Sequence, residues 1–171
     1  MLREPFGEIV HDSDAAAWIG RVRLPEFAIY GRDQPSASLG PPDDRTREGL
    51  FELTVRDSAG TGPTRQQANA VRYLIDNEPA VCRAVLSEIL ASQRYGGLFG
   101  WLNRKLGLER QTPEELHNLV RCVGVTVSDA EVREYAHIGF DFEVDWVLDL
   151  SVVFHPAQGA VWGDRTAIDC I

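Results

Sequence analysis

Apolar and polar residues alternate in the first third of the chain, and this alternation predicts strands. In L-F-E-L-T-V-R-D at 50–57, every second residue from Phe51 to Val55 is apolar, and charged or hydroxyl-bearing residues lie between them. A period of two is typical of a half-buried strand. Residues 18–30 alternate in the same way until Pro25 interrupts them, which predicts one or two further strands.

From Val120 onward the chain is again rich in β-branched and aromatic residues, which favour strands. We expect four strands there, separated by a turn around Asp129-Ala130 and by a turn at 155–159. The predicted strands cover 120–128, 138–146, 148–155 and 160–164.

Between these two groups of strands the apolar residues recur with the period of a helix. Thr64 and Gln67 have the capping-box spacing of a helix N-terminus, and the apolar positions that follow predict a first helix. Pro79 interrupts the pattern, and a second apolar stripe over 81–90 predicts a second helix.

Strands, then helices, then strands is the order expected of an α+β fold. We predict a largely antiparallel sheet with two main helices packed on one face. A length of 171 residues suits a single domain spanning 1–171, with N-terminal strands in 1–60, a helical segment in 63–120 and C-terminal strands in 120–171. Residues 31–45 are rich in Gly, Pro, Ser and Asp and predict a long loop.

Charge and cysteine content limit the kinds of partner and compartment that we expect. Asp and Glu number 26 against 17 Lys and Arg, a net charge of −9, which argues against nucleic-acid binding and favours a basic partner. No apolar run approaches the roughly 20 residues that cross a bilayer, so we expect no membrane association. Cys82, Cys122 and Cys170 have no C-x-x-C spacing, which predicts buried free thiols and a cytoplasmic location.

The predicted strand at 138–146 has one apolar side and one acidic side. Because side chains alternate, Asp141, Glu143 and Asp145 share a face opposite the five apolar residues. The carboxylates then lie about 7 Å apart on the exposed side. Three interpretations follow: a solvated surface, a docking surface for a basic partner, or a Mg²⁺ or Ca²⁺ site if oxygen ligands converge from other segments.

Two other groups of residues have both a structural and a functional interpretation. His137 and His155 flank two C-terminal strands and could approach each other with Asp141, as an acid–base pair or as structural histidines. The cluster Leu98–Trp101 is either part of the core or an exposed interface. The neighbouring glycines lack the Lys-Ser/Thr of a phosphate-binding loop.

Several segments in order resemble an uncharacterised bacterial domain family. They are P-T-R-Q-Q-A-N at 63–69, I-G-F-D-F-E-V-D-W at 138–146 and V-V-F-H-P-A-Q-G at 152–159. Members of that family carry P-T-x-x-Q near the first helix and an I-G-F-x-F-x-C-x-W-D-E-E-H-G strand and turn. They look like small acidic proteins encoded beside polymorphic toxins, so the resemblance implies an immunity-type role and no known enzymatic activity.

This chain departs from the family after Trp146, where Val147-Leu148-Asp149-Leu150-Ser151 replaces the D-E-E-H-G turn. Asp149 is the one carboxylate left there, which argues against a catalytic or metal role for the turn. Our hypothesis is a non-enzymatic cytosolic binding protein without cofactor or metal, which occludes the active site of a cognate toxin with a basic surface. The expected partner-binding residues are Asp141, Glu143, Asp145, Asp149, Asp43 and Asp44.

Two alternatives remain open at this point. The same carboxylates could serve a metal-dependent hydrolase, or the chain could be a structural or oligomerising module that associates through Leu98–Trp101. The sequence does not determine the oligomeric state.

Overall fold

The computed structural model describes residues 5–29, 48–91, 112, 116, 120–144 and 148–163, and for 144, 148, 149, 162 and 163 it describes the backbone. These residues form seven strands, a short 3₁₀ helix and two α-helices. In chain order they are β1 (Val10–Asp12), β2 (Ala17–Arg23), the 3₁₀ helix (Phe27–Ile29), β3 (Leu50–Arg56), α1 (Arg65–Asp76), α2 (Glu78–Ala91), β4 (Val120–Val132), β5 (Tyr135–Val144), β6 (Leu148–His155) and β7 (Gly159–Gly163).

The seven strands form one sheet in which their spatial order equals their order in the chain. All neighbouring pairs are antiparallel except β3 and β4, which run parallel from Glu52↔Gly124 to Val55↔Val127. A parallel pair requires a crossover, and here both α-helices lie in the connection between these two strands. The predicted α+β fold with a largely antiparallel sheet is therefore confirmed.

Both helices cover the same face of the sheet. Apolar residues of α1 and α2 belong to one buried cluster together with alternate residues of β2 to β6. Phe140 at its centre is fully buried, and its ring stacks on Phe27 of the 3₁₀ helix with centroids 4.8 Å apart. Each such side chain contributes about 1.5–3 kcal/mol on burial, so this apolar face fixes the orientation of strands β2 to β6. Within the described residues, no helix is long and apolar enough to span a membrane.

The P-T-x-x-Q segment joins the first helix to the parallel strand pair. Thr64 caps α1 and its side chain accepts the N–H of Gln67, while Gln67 Oε1 accepts the N–H of Thr64 at 2.8 Å. Gln67 is buried, and its Nε2 donates to the carbonyls of Arg56 at 2.8 Å and Ser128 at 3.1 Å. One amide therefore satisfies backbone groups of α1, of the end of β3 and of β4. The predicted capping box is confirmed.

Two buried carboxylates hold the loops at opposite ends of the sheet. Asp57 accepts hydrogen bonds from Trp18 Nε1 and from the N–H groups of Thr61 and Gly62, each at 2.9 Å. The bond from Trp18, together with those backbone donors, lowers the pKa of Asp57 below its ordinary value. Glu78, at the start of α2, accepts the N–H groups that open the 3₁₀ helix, and burial raises its pKa.

Some predicted boundaries were wrong. The turn expected around Asp129-Ala130 does not exist, because a bulge lets β4 continue to Val132, and the chain turns at Arg133, whose φ is 60°. Of the one or two strands expected around Pro25, one forms; the segment after Pro25 is the 3₁₀ helix, stabilised at its N-terminus by the Glu78 carboxylate. Strand β1 was not predicted, since three residues are too few to show alternation.

The remaining expectations concern the cysteines, the predicted loop at 31–45 and the cluster Leu98–Trp101. Cys82 and Cys122 are buried thiols, as predicted. The loop at 31–45, the cluster Leu98–Trp101 and Cys170 lie outside the described residues.

We expect the Gln67→Ala substitution to lower the free energy of unfolding by about 2–4 kcal/mol, since several buried backbone groups lose this partner. Urea denaturation would measure the change. Gln66→Ala removes the same side chain one position earlier, where it is less buried, and should cost about 0.5 kcal/mol or less. Equal losses in the two variants would contradict the proposed bridging role of Gln67.

We expect Asp57→Asn to change how stability depends on pH. A carboxylate whose folded pKa lies below its ordinary 3.8 stabilises the protein above that value, and the contribution is lost as pH falls through it. The difference in unfolding free energy between wild type and Asp57→Asn should therefore be largest near neutrality and should decrease as the pH falls below the ordinary value of 3.8. Asp76→Asn, at an exposed carboxylate of α1, is the control. A constant offset between wild type and Asp57→Asn would contradict the assignment.

Candidate functional site

The face of the sheet opposite the two α-helices carries the charged residues singled out in the sequence. We call it the helix-free face, because neither of the two described α-helices packs on it; it consists of the residues of β2 to β6 that alternate with the core positions. Its central row follows the strand pairings directly. The row runs across five strands as Arg21, Glu52, Gly124, Asp141 and Ser151.

Asp141 is partly buried, and its carboxylate is held by a hydroxyl on the next strand. Ser151, which is fully buried, donates to Asp141 Oδ1 at 2.6 Å. The other oxygen, Oδ2, lies 4.0 Å from the place where a Cβ of Gly124 would be. Apart from Gly124 and its two chain neighbours, no other heavy atom of the described residues lies within 4.0 Å of that place. The glycine therefore leaves room for a group to approach Oδ2 from the β3 side.

Glu143 forms an ion pair with Arg121 across β4 and β5. The Nε of Arg121 donates to Glu143 Oε2 at 2.9 Å, and a terminal guanidinium nitrogen donates to the same oxygen. The side chains are 10% and 25% exposed, so the pair is largely withdrawn from water. On the other side of β4, burial raises the pKa of the Cys122 thiol, which keeps that group neutral.

The expected arrangement of carboxylates on an exposed strand side is only partly found. Asp141 and Glu143 share a face, as predicted, but both are half-buried and both have partners within the sheet. Arg21 and Arg23 are exposed on the same face. The described part of this face therefore carries both signs of charge in alternation rather than a continuous acidic patch.

The remaining predicted partner-binding residues are only partly covered by the structure. Asp149 lies opposite Glu143 in the register of β5 and β6. Asp43, Asp44 and Asp145 lie outside the described residues. Their role in binding stays a prediction.

His137 and His155 approach each other, as the sequence indicated, with ring centroids 4.8 Å apart. His155 Nε2 contacts the carbonyl of Val132 at 3.2 Å, and Nδ1 accepts the N–H of Ala157 at 3.2 Å. Because a carbonyl can only accept, Nε2 carries the proton and His155 is held as one neutral tautomer.

His137 Nδ1 contacts the carbonyl of Ala130 at 3.2 Å, which again makes the ring nitrogen the donor. The two imidazoles therefore fasten the bulged end of β4 to β5 and β6. Among the described residues, no hydrogen bond joins Asp141 to either ring, so the expected grouping of three is not formed. Within the same residues, no three His, Cys, Asp or Glu side chains cluster as metal ligands would.

A known domain family covers most of the residues that build this site, although Arg21 precedes the matched range. The family described as Domain of unknown function (DUF6985) matches residues 46–154, which is more than half of the chain. The chain belongs to the DUF6985 family. The match runs from just before β3 to the penultimate residue of β6, so it includes Gln67, Asp141 and Glu143. No curated protein and no solved structure matches the chain significantly.

The expectation of an uncharacterised domain family is therefore confirmed, and the immunity-type link stays a prediction. Sequence reasoning missed Arg121, Gly124 and Ser151, which complete the site. Their alternation with apolar neighbours was visible, but the register that places them beside Asp141 and Glu143 was not.

We expect a double-mutant cycle with Arg121→Met and Glu143→Leu to give a coupling energy of about 1–2 kcal/mol in urea denaturation, because the pair is mostly buried. Arg21 and Glu52 face each other on the same side of the sheet and are exposed. The matched cycle with Arg21→Met and Glu52→Leu should give about 0.5 kcal/mol or less. If the exposed pair couples as strongly as the buried one, burial does not explain the interaction.

Proposed function

We propose that this DUF6985 protein is a non-enzymatic binding protein whose helix-free face contacts another protein. The observation that carries the proposal is the cross-strand row from Arg21 to Ser151. Its charged side chains add nothing to the apolar core; the strand register fixes the relative positions of their backbones, and the hydrogen bond from Ser151 fixes the carboxylate of Asp141. Charges fixed before association lose little conformational freedom on binding, which favours a specific partner.

The arrangement around Gly124 supports a partner with projecting basic groups. Glu52 is exposed on one side of the glycine, and Asp141 Oδ2 is approachable on the other. A Lys or Arg side chain inserted above Gly124 would meet both carboxylates. The exposed Arg21, next to Glu52 in the same row, would then select for an acidic group beside that cation, so specificity comes from the pattern of charge.

The net charge and the family resemblance support a more specific form of the proposal. A charge of −9 accelerates encounter with a basic protein at low salt. Small acidic members of the resembling family look like immunity proteins of toxin systems. We therefore propose a toxin with a basic active site as the partner, which this protein neutralises by occlusion.

The test uses the toxin-like protein encoded beside this gene, if one is present there, as the probe. Glu52→Lys changes an exposed residue of the helix-free face, and Asp76→Lys makes the same charge change at an exposed residue of α1. Stopped-flow association should slow about tenfold more for Glu52→Lys than for Asp76→Lys, since only the former disturbs local complementarity. Thermal unfolding would verify that both variants are folded.

Three outcomes would count against the proposal. Equal slowing in the two variants would attribute binding to net charge and not to this face. A toxin that neither binds nor is neutralised in co-expressing cells would remove the immunity role. Heat released on calorimetric titration with Mg²⁺, Mn²⁺ or Ca²⁺, and abolished by Asp141→Asn, would favour the metal-dependent hydrolase instead.

A further inference from the structure

The two edges of the sheet differ in how well they are protected from pairing with another strand. Strand β1 has three residues and ends in Asp12. The carboxylate of Asp12 accepts the N–H groups of Asp14 and Ala15, in the turn that follows, at 3.0 and 3.2 Å. Short length and a charged residue are features by which natural sheets protect an edge. This edge is therefore a poor template for another chain.

Strand β7 at the opposite edge has none of these features. Its five residues, G-A-V-W-G, contain no charge and no proline, and it pairs with β6 in unbroken register from Gly159 to Gly163. Val161 is 54% exposed. Within the described part of the chain, no strand pairs with the outer side of β7. Its outward backbone N–H and C=O groups match one kind of ligand, which is another extended strand.

The sequence of β7 is complementary to itself when two copies run antiparallel. With Val161 as the centre, Gly159 lies opposite Gly163 and Ala160 lies opposite Trp162. Glycine thus pairs with glycine at both ends of the strand. We propose that β7 is a self-association site, where two copies of this protein join edge to edge into one continuous sheet.

The symmetry of this pairing agrees with the rest of the fold. An antiparallel pair formed in the plane of a sheet has its two-fold axis perpendicular to that plane, so the helices of both copies lie on the same face. Val161 lies on the same side of the sheet as the helix-free face, because its register partner Val153 lies outside the main core cluster. The two exposed valines would then lie about 4.5–5.5 Å apart and cover each other.

Charge and size determine how strong this association should be. The strand pair brings no charged side chain of β7 near its copy, although each chain carries −9. Two five-residue strands bury less than the roughly 1,200 Å² of stable complexes, so we expect a reversible dimer that forms at high micromolar concentration. The proposal does not depend on the partner assigned to the helix-free face.

Sedimentation equilibrium over a wide range of concentrations tests the proposal. The mass of the wild type should rise from 19.0 kDa toward twice that value as concentration increases. Val161→Lys should keep the monomer mass at every concentration, because two like charges would meet at the centre of the pair. Val10→Lys is the matched control at the other edge, where the valine is 72% exposed, and it should behave as the wild type.

A cross-linking experiment tests the register directly. In a Cys170→Ser background, Val161→Cys should form a disulfide-linked dimer on treatment with diamide. Diamide is the oxidant and takes up the two thiol hydrogens. Val10→Cys in the same background is the control and should not form this dimer. If the sedimentation mass of the wild type stays at 19.0 kDa at every concentration, the proposal is overturned, and the ligand of this edge would be a strand of another protein. A dimer that persists unchanged in Val161→Lys, or equal cross-linking at the two positions, would also overturn it.

Discussion

The whole arrangement depends on the junction where β3 and β4 run parallel. Every other strand in the described sheet pairs antiparallel with a neighbour in sequence, so this junction alone requires the long helical crossover. Gln67 reaches the backbone of both sides, accepting from the cap of α1 and donating to carbonyls on β3 and β4. Because the amide is buried, its hydrogen bonds form where water cannot replace them. The same junction brings Glu52 next to Gly124 and so creates the central row of the helix-free face.

The net charge of the chain does not describe the charge that this face presents to a partner, because some of its charged residues are partly buried and have partners within the sheet. A net charge of −9 suggests an acidic surface, but Glu143 is compensated by Arg121 and Asp141 accepts a bond from Ser151. What remains for a partner is a pattern of both signs, with the long-range attraction set by the chain as a whole. The two imidazoles near the turns act structurally within this sheet, since each ring donates to a backbone carbonyl of β4.

Local features were predictable from the sequence, and features that depend on register were not. The capping box from Thr64 to Gln67 was readable because its residues are three positions apart in one helix turn. The alternating faces of β3 and β5 were also predictable, because each depends only on residues close together in the sequence. The pairing of Arg121 with Glu143 was not, because one bulge near Val123 and another before Glu131 shift the register. Without the bulge at Val123, Arg121 would lie on the core side of β4.

The parallel junction also has a consequence for how the chain folds. Strands β1 to β3 and strands β4 to β7 form two antiparallel groups, and every pairing within each group joins strands that are neighbours in sequence. The two groups meet only when residue 52 reaches residue 124, which closes a very long loop. Loop closure of this kind slows folding, because entropy is lost before the contacts form. The C-terminal strands can therefore assemble early, and docking of the N-terminal strands through α1 would complete the sheet last.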